Sequence, residues 1–315
     1  MGVINVFNMN TDIEKKRQFL LEYIEKIIEK IKMWENLRGP GIKRKILRVV
    51  CLPDIYITYI FCLLLKPKKI SFKLFNQRTI MLDIIDRASA SLYAFKCLDS
   101  IIEYKLTKFL IKYFKSNDVF YDIGGSFGFY TYLALEFCKE VHYFEPVPFV
   151  FEIVKYNLKN ESRVTLNNVA IGKSNKIAWL YILNSNTSRS TIVKNSEKLH
   201  SYKKIEIKVI SLEEYIHQTS SKPTIIKLDV EGAELEVIEG AINFFKNESP
   251  LIIMEVHNKN YAGESSINAV EKLISLNYKP YCIDLEGRLN EIKGDLMDVL
   301  VKENLEVDNF VFMKQ

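Results

Sequence analysis

One stretch, residues 118–146, constrains the fold more than any other part of the chain. A short apolar run over residues 119–123 leads into a glycine turn, the turn opens an apolar-periodic helix, and a second apolar run ends on Glu145. Strand, turn, helix and strand in this order predict a βαβ unit of a parallel sheet. Gly124 and Gly128 permit a positive φ at the turn, where the amides of the following helix can face a ligand. Glu145 follows the turn by about 20 residues, the distance at which such folds place a carboxylate on a ribose.

The sequence motif of the turn distinguishes between two classes of cofactor. A dinucleotide site uses G-x-G-x-x-G, so that a pyrophosphate can approach the backbone, and that spacing is absent here. The chain carries Asp122-x-Gly124-x-Ser126-x-Gly128, which resembles the D-x-G-x-G-x-G loop of enzymes that use S-adenosyl-L-methionine (SAM). SAM has an ammonium and a carboxylate and no pyrophosphate, so an acid at the head of the loop is physically reasonable. Taken alone, the loop leaves open that Asp122 and Ser126 only cap the helix.

Two later segments decide between these readings. They are TIIKLDVEGAELEVIEGA at 224–241 and PLIIMEVH at 250–257. With DIGGSFGFYT and HYFEPVP, they closely resemble the FkbM family of SAM-dependent methyltransferases, which carries a D-I-G-A-N-x-G-like loop, an F-E-P strand end and a K-x-D-V-E-G-x-E segment. The resemblance covers about residues 118–257 and is weak before residue 101. Gly125-Ser126 replaces the family's Ala-Asn, and because serine still donates and accepts, we expect altered contacts with the cofactor and not a lost site.

The resemblance implies a fold and a domain organisation. The fold class is α/β: a Rossmann-like class I methyltransferase with a seven-stranded, mostly parallel sheet, helices on both faces, and a mainly helical N-terminal extension. We expect the basic extension to occupy residues 1–100 and the SAM-dependent methyltransferase domain residues 101–315. The implied activity is O-methylation of a hydroxyl on a sugar or glycan-like substrate.

Strand ends supply the predicted site residues, because ligands of open α/β sheets lie beyond the carboxyl ends of the strands. Asn168 and Val169 lie near the end of the third predicted core strand, residues 164–171, and are expected beside the adenine ring, although a plain strand end is an equal alternative. The predicted cofactor-binding residues are Asp122, Gly124, Ser126, Gly128, Glu145, Asn168 and Val169.

The catalytic prediction rests on the next two strands. Asp229 and Glu231 follow strand four, and Glu255 and His257 end strand five. Asp229 is the expected proton acceptor, with Glu231 holding the substrate or the loop and His257 as the alternative base. Whether these carboxylates hold Mg²⁺ is left open.

Charge is unevenly distributed along the chain. Residues 1–80 hold 16 Lys/Arg against 7 Asp/Glu, whereas residues 81–315 hold 28 against 32. The basic part contains a long amphipathic helix and a short apolar segment, residues 55–65. The length of this segment is below the 17 to 25 residues that a membrane-spanning helix needs. A buried or dimerising helix and a peripheral membrane contact both remain open. Five cysteines without a C-x-x-C pair favour reduced thiols in a cytoplasmic protein and no cysteine zinc site.

Three other functions stay in consideration. An NAD-dependent oxidoreductase is disfavoured by the missing G-x-G-x-x-G. A non-catalytic SAM-binding scaffold is disfavoured by the acids at all three motif positions. A nucleic-acid methyltransferase would suit the basic N-terminus, but aromatic residues are not interleaved with the basic ones there, so no nucleic-acid partner is expected.

Overall fold

The chain divides into two compact units. A computed structural model describes residues 2–37, 39, 41–183, 202–258 and 264–314. One unit contains Met1–Lys115 with Leu285–Gly287, and the other contains Ser116–Asp284 with Arg288–Gln315. The predicted domain boundary at residue 101 stays a prediction.

The first unit is mainly helical, in agreement with the predicted N-terminal extension. Ring contacts join its helices, because the Trp34 ring centroid lies 5.2 Å from that of Tyr59 and 5.3 Å from that of Phe95. The elements, in chain order, are α1 Gly2–Asn36, α2 Ile42–Cys51, α3 Pro53–Leu65, the antiparallel strands β1 Ile70–Lys73 and β2 Thr79–Leu82, α4 Arg87–Phe95 and α5 Ile101–Tyr113.

The second unit is built on one sheet that contains five adjacent parallel strands. These strands are β3 Val119–Ile123, β4 Glu140–Phe144, β5 Val164–Asn167, β9 Ile225–Leu228 and β10 Leu251–His257. The remaining strands of this sheet, β11 Tyr278–Ile283, β12 Leu289–Glu291 and β13 Val307–Lys314, extend it with antiparallel pairings. Every residue of β9 is buried, as expected for a parallel strand with both faces covered.

The sheet has eight strands, in the order β12-β11-β13-β10-β9-β3-β4-β5, so the predicted count of seven was wrong by one. The additional strand is β12, which pairs with β11 at the edge of the sheet. Its three residues, Leu-Asn-Glu, are too few and too exposed to show an alternating pattern. The mostly parallel sheet was predicted correctly.

Helices and a small second sheet complete this unit. β6 Ala170–Gly172, β7 Lys176–Leu183 and β8 Tyr202–Ser211 form a three-stranded sheet in the order β6-β8-β7. The helices are α6 Phe129–Ala134, α7 Pro148–Leu158, α8 Leu212–Thr219, α9 Glu234–Glu239, α10 Ile242–Asn247, α11 Glu264–Ser275 and α12 Leu296–Lys302.

Length and apolar character decide whether any of the helices that the structure describes can cross a membrane. None of these helices combines the length and the apolar character that crossing a bilayer requires.

Candidate active site

The glycine loop lies directly against the end of a neighbouring strand. Gly124 follows β3 with φ +82°, and its amide donates to the Phe144 carbonyl over 3.0 Å. A Cβ on Gly124 would lie 1.8 Å from the Asp229 carbonyl oxygen. Only glycine satisfies both the dihedral angle and the contact, so the loop and the end of β9 form one surface.

Glu145 fastens this loop from the end of β4. Its Oε2 accepts from the Ser126 amide over 3.0 Å, and its Oε1 accepts from the Val147 amide over 2.7 Å. The side chain is buried, and burial raises its pKa to about 7, although the two amide bonds act in the opposite direction. Glu145 therefore organises the loop and titrates near neutral pH.

Gly125, which stands where the family's loop has alanine, packs directly against the ring of Tyr143. A Cβ on Gly125 would lie 2.5 Å from two carbons of the Tyr143 ring. The Tyr143 hydroxyl also donates to the Ser126 carbonyl. The tyrosine ring thus occupies the space that an alanine side chain in the loop would need.

Asp122 lies beneath the loop and is fully buried. Its Oδ2 accepts from the Thr131 hydroxyl over 2.7 Å, whereas its Oδ1 has no hydrogen-bond partner among the described residues. Burial raises the pKa of this carboxyl. Helix α6 starts after Gly128, and Asp122 contacts its first turn through Thr131, so Asp122 supports the start of the helix from beneath the loop.

Asn168 and Val169 lie in the turn between β5 and β6, at the same edge of the sheet. The Asn168 side-chain amide donates to the Glu145 carbonyl over 2.8 Å, and the Glu145 backbone amide donates to the Asn167 carbonyl over 3.1 Å. Val169 is partly buried against the core. The third strand ends earlier than predicted, at Asn167, and the turn stays tied to Glu145.

A second group of polar residues stands at the ends of β9 and β10. One carboxylate oxygen from each of Asp229, Glu231 and Glu255 lies within 4.8 Å of the others. The buried Lys227 ammonium donates to Asp229 Oδ2 over 2.9 Å, so one acid of this group already has a cationic partner. Glu231 has φ +52°, an uncommon conformation for a residue other than glycine.

His257 joins the group through a carboxylate. Its Nε2 lies 3.1 Å from Glu255 Oε2, and this hydrogen bond raises the pKa of His257 above the ordinary value of 6.5. The four polar residues predicted at the two strand ends are thus close together. The predicted site residues missed Lys227, although a lysine inside the apolar run Ile-Ile-Lys-Leu is a signal in the sequence.

Glu234 was also missed, although it is the last acid of the K-x-D-V-E-G-x-E segment. Its Oε1 accepts from the Gly232 amide over 3.1 Å, and its Oε2 has no partner among the described residues. Burial raises its pKa, and the charges of Asp229 and Glu255 act in the same direction. Glu234 therefore lies within electrostatic reach of the acidic group.

Comparison with known proteins identifies the family. The model of the methyltransferase FkbM domain matches residues 118–280, which is just over half of the chain. The chain belongs to the FkbM methyltransferase family. The matched range begins at the strand before the glycine loop and extends beyond both groups of polar residues.

One curated relative in the same class is hexuronic acid methyltransferase AglP of Haloferax volcanii. It is 28% identical over 158 residues, which cover 49% of this chain and 62% of the relative. The chain therefore spans less than two thirds of the length of that protein.

Solved structures also match at low identity. Methyltransferase FkbM of Methylobacillus flagellatus KT is 15% identical with a TM-score of 0.40, over 64% of this chain and 44% of that one. Precorrin-6y C5,15-methyltransferase of Geobacter metallireducens GS-15 is 11% identical with a TM-score of 0.36, over 67% and 87%.

Proposed function

We propose that this FkbM-family protein is a SAM-dependent O-methyltransferase that methylates a hydroxyl of a sugar or glycan-like substrate. The observation that carries the proposal is the link between the glycine loop and Glu145, because it places a titratable carboxylate beside partly exposed loop backbone at the carboxyl edge of the parallel strands. The sugar class is supported by the name of the relative, a hexuronic acid methyltransferase.

The residues at the loop fit SAM in their chemistry. Ionised Glu145 keeps lone pairs beyond the two that accept backbone amides, so it can accept ribose hydroxyls as well. Asp122 Oδ1 is a buried acceptor without a partner among the described residues, suited to a cationic group. Asn168 and Val169 supply polar and apolar contacts for adenine. Bound SAM would supply a methyl group on a sulfonium, ready for in-line transfer to an aligned oxygen.

We assign proton acceptance to His257, oriented by Glu255. Asp229, the base expected from the sequence, is ion-paired with buried Lys227 over 2.9 Å, so its Oδ2 already accepts a hydrogen bond from an ammonium. When His257 is neutral, its Nδ1 can accept a proton, because the contact with Glu255 involves the other ring nitrogen, Nε2. Asp229 and Glu231 then position the hydroxyl. Three acids around this position disfavour an anionic acceptor group and favour a neutral hydroxyl.

Binding of SAM provides the first test. Replacing Glu145 with Ala removes a charge-assisted hydrogen bond to ribose, and we expect a loss of about 1.5 to 3 kcal/mol in isothermal titration at pH 8. Because the pKa of Glu145 is raised to about 7, affinity of the unmodified protein should also fall as pH drops from 8 to 6. Glu140→Ala, at the opposite end of β4, is the matched control. Unchanged affinity in folded Glu145→Ala would remove Glu145 from the site.

Transfer of a labelled methyl group to a panel of neutral and acidic glycosides tests the activity itself. The proposal expects product with a neutral sugar hydroxyl. Stabilisation by NAD and not by SAM in a thermal-shift assay would favour the oxidoreductase alternative. Tight SAM binding without transfer to any member of the panel would favour the scaffold alternative.

A further inference from the structure

Exposed apolar side chains are concentrated on two consecutive helices of the first unit. Such residues on α2 and α3 are Ile42, Ile46, Leu47, Val49, Val50, Ile57, Phe61, Leu64 and Leu65. Single exposed apolar residues are ordinary, but a contiguous group of this kind marks an interaction surface. We call these nine residues the apolar surface.

On α3 the apolar surface is a single stripe. Ile57, Phe61, Leu64 and Leu65 follow the spacing i, i+4, i+7, i+8, which places them on one face of a helix. The inner face of the same helix buries Ile55, Tyr56 and Cys62 in the unit. The helix is therefore apolar on two opposite sides. Packing inside the unit accounts for the inner side but not for the exposed apolar side.

On α2 the apolar side chains are exposed, and one basic side chain, Arg48, contacts the protein. Arg48, on its basic side, donates from Nε to the Leu37 carbonyl over 2.8 Å. Its guanidinium carbon also lies 5.6 Å from the ring centroids of both Trp34 and Tyr56. Arg48 thus faces the protein, whereas Ile42, Ile46 and Val50 face outwards. An apolar partner is the simplest explanation for this exposed apolar face.

Basic residues surround the apolar surface. Residues 42–69 contain seven Lys or Arg and one acid, Asp54. Exposed lysines stand beside the apolar face on α2, at Lys43 and Lys45, and just after α3, at Lys66 and Lys68. A second copy of the chain would bring these like charges together across a two-fold axis, which is unfavourable. Anionic lipid headgroups complement them.

We propose that α2 and α3 bind the surface of a membrane that contains anionic lipid, with the apolar surface inserted among the acyl chains and the lysines at the headgroups. This contact is interfacial and involves two short helices lying along the membrane. It does not depend on the proposed methyl transfer.

Co-sedimentation of the full chain with vesicles tests the apolar part. We expect binding to vesicles of phosphatidylcholine with phosphatidylglycerol and weaker binding to phosphatidylcholine alone. Leu64→Ser/Leu65→Ser should lower the partition coefficient by about tenfold per residue, because each loses the transfer of one leucine side chain. The matched control is Ile177→Ser/Val301→Ser, whose native side chains are 63% and 65% exposed, close to the 76% and 63% of the leucines.

The electrostatic part has its own pair of variants. Lys43→Glu/Lys45→Glu should reduce binding to anionic vesicles at least tenfold, whereas Lys26→Glu/Lys30→Glu on α1 changes net charge equally and should have a small effect. Binding should also weaken from 0.01 M to 0.15 M salt. Circular dichroism of each variant checks that the helices are retained.

Three outcomes would overturn the proposal. The first is no binding of the unmodified chain to either vesicle. The second is binding that the leucine variant and its control reduce equally. The third is a dimer in light scattering that Leu64→Ser/Leu65→Ser converts to a monomer, with no vesicle binding, which would assign the apolar surface to a second copy of the chain.

Discussion

At the scale of single residues, the pairing of Gly125 with Tyr143 accounts for the departure from the family's loop. The ring carbons of Tyr143 would lie 2.5 Å from a Cβ at position 125. Gly125→Ala therefore forces the loop or the ring to move, although alanine is the residue that the family usually carries there. We expect a loss of about 1 to 3 kcal/mol in the free energy of unfolding and weaker SAM binding.

A double-mutant cycle isolates this contact. Tyr143→Val removes the ring atoms involved, so the cost of Gly125→Ala should fall by at least about 0.5 kcal/mol in that background. Tyr143→Phe keeps the ring and removes only the hydroxyl, so it should give no such relief. Equal costs of Gly125→Ala in all three backgrounds would show that the two residues are independent.

The sequence located most of the candidate site because its residues terminate strands. Glu145 and Asp229 end buried apolar runs, and parallel strands bring their carboxyl ends to one edge. The sequence could not show that Asp122 is fully buried or that Lys227 pairs with Asp229, because both depend on side-chain direction. It could not connect Tyr143 with Gly125 either, since that contact joins β4 to the glycine loop.

At the scale of secondary structure elements, α1 is fixed to the end of α5 by one side chain. Arg17 donates from Nη2 to the Phe114 carbonyl over 3.0 Å, and from Nη1 to the Ile111 carbonyl. The last carbonyls of a helix lack partners within the helix and carry the negative end of its dipole, so a guanidinium there is stabilising.

Removing this contact should destabilise the first unit. We expect Arg17→Ala to cost about 2 kcal/mol, because charge-assisted hydrogen bonds contribute about 1.5 to 3 kcal/mol. Denaturant unfolding followed by Trp34 fluorescence in a Trp179→Phe background reports on this unit. Lys15→Ala, at an exposed position of α1, should change stability by no more than about 0.5 kcal/mol. Equal effects of the two substitutions would contradict the assignment.

Elements with strong patterns were predicted, and those without were not. The strands β3, β4, β9 and β10 are short, apolar and bounded by polar turns, which is the signal of buried strands. β12 has three residues and no such pattern. The sequence also could not predict that the apolar side of α2 faces outwards. Helical periodicity predicts an apolar face but not what covers that face.

At the scale of the whole molecule, the proposed chemistry requires both groups of polar residues, one for SAM and one for the acceptor. The two groups meet where the Asp229 carbonyl contacts the glycine loop, and the Asp229 amide donates to the Ile123 carbonyl over 3.1 Å. Substitutions in the acceptor group should therefore be separable by their effects on SAM binding and on turnover.

The pH dependence of methyl transfer tests the assignment of His257 as the base. The hydrogen bond that His257 donates to Glu255 raises the pKa of His257 above 6.5, and only the neutral ring accepts a proton, so kcat/KM should rise with pH through a midpoint above 6.5. Glu255→Gln removes the charge that stabilises the protonated ring, so it should move the midpoint to lower pH. The charge of Asp229 contributes less to the pKa of His257, so Asp229→Asn should move the midpoint less.

Turnover at high pH completes this test. His257→Ala should lower kcat by about 10²- to 10⁴-fold with the Kd for SAM unchanged, the typical contribution of a general base. Activity should persist in EDTA, because Lys227 already neutralises Asp229 and the histidine supplies the proton acceptor. If Asp229→Asn causes the large loss and His257→Ala does not, Asp229 is the base, as the sequence predicted. Activity lost in EDTA and restored by Mg²⁺ would instead assign Asp229, Glu231 and Glu255 to a cation that lowers the pKa of the acceptor hydroxyl.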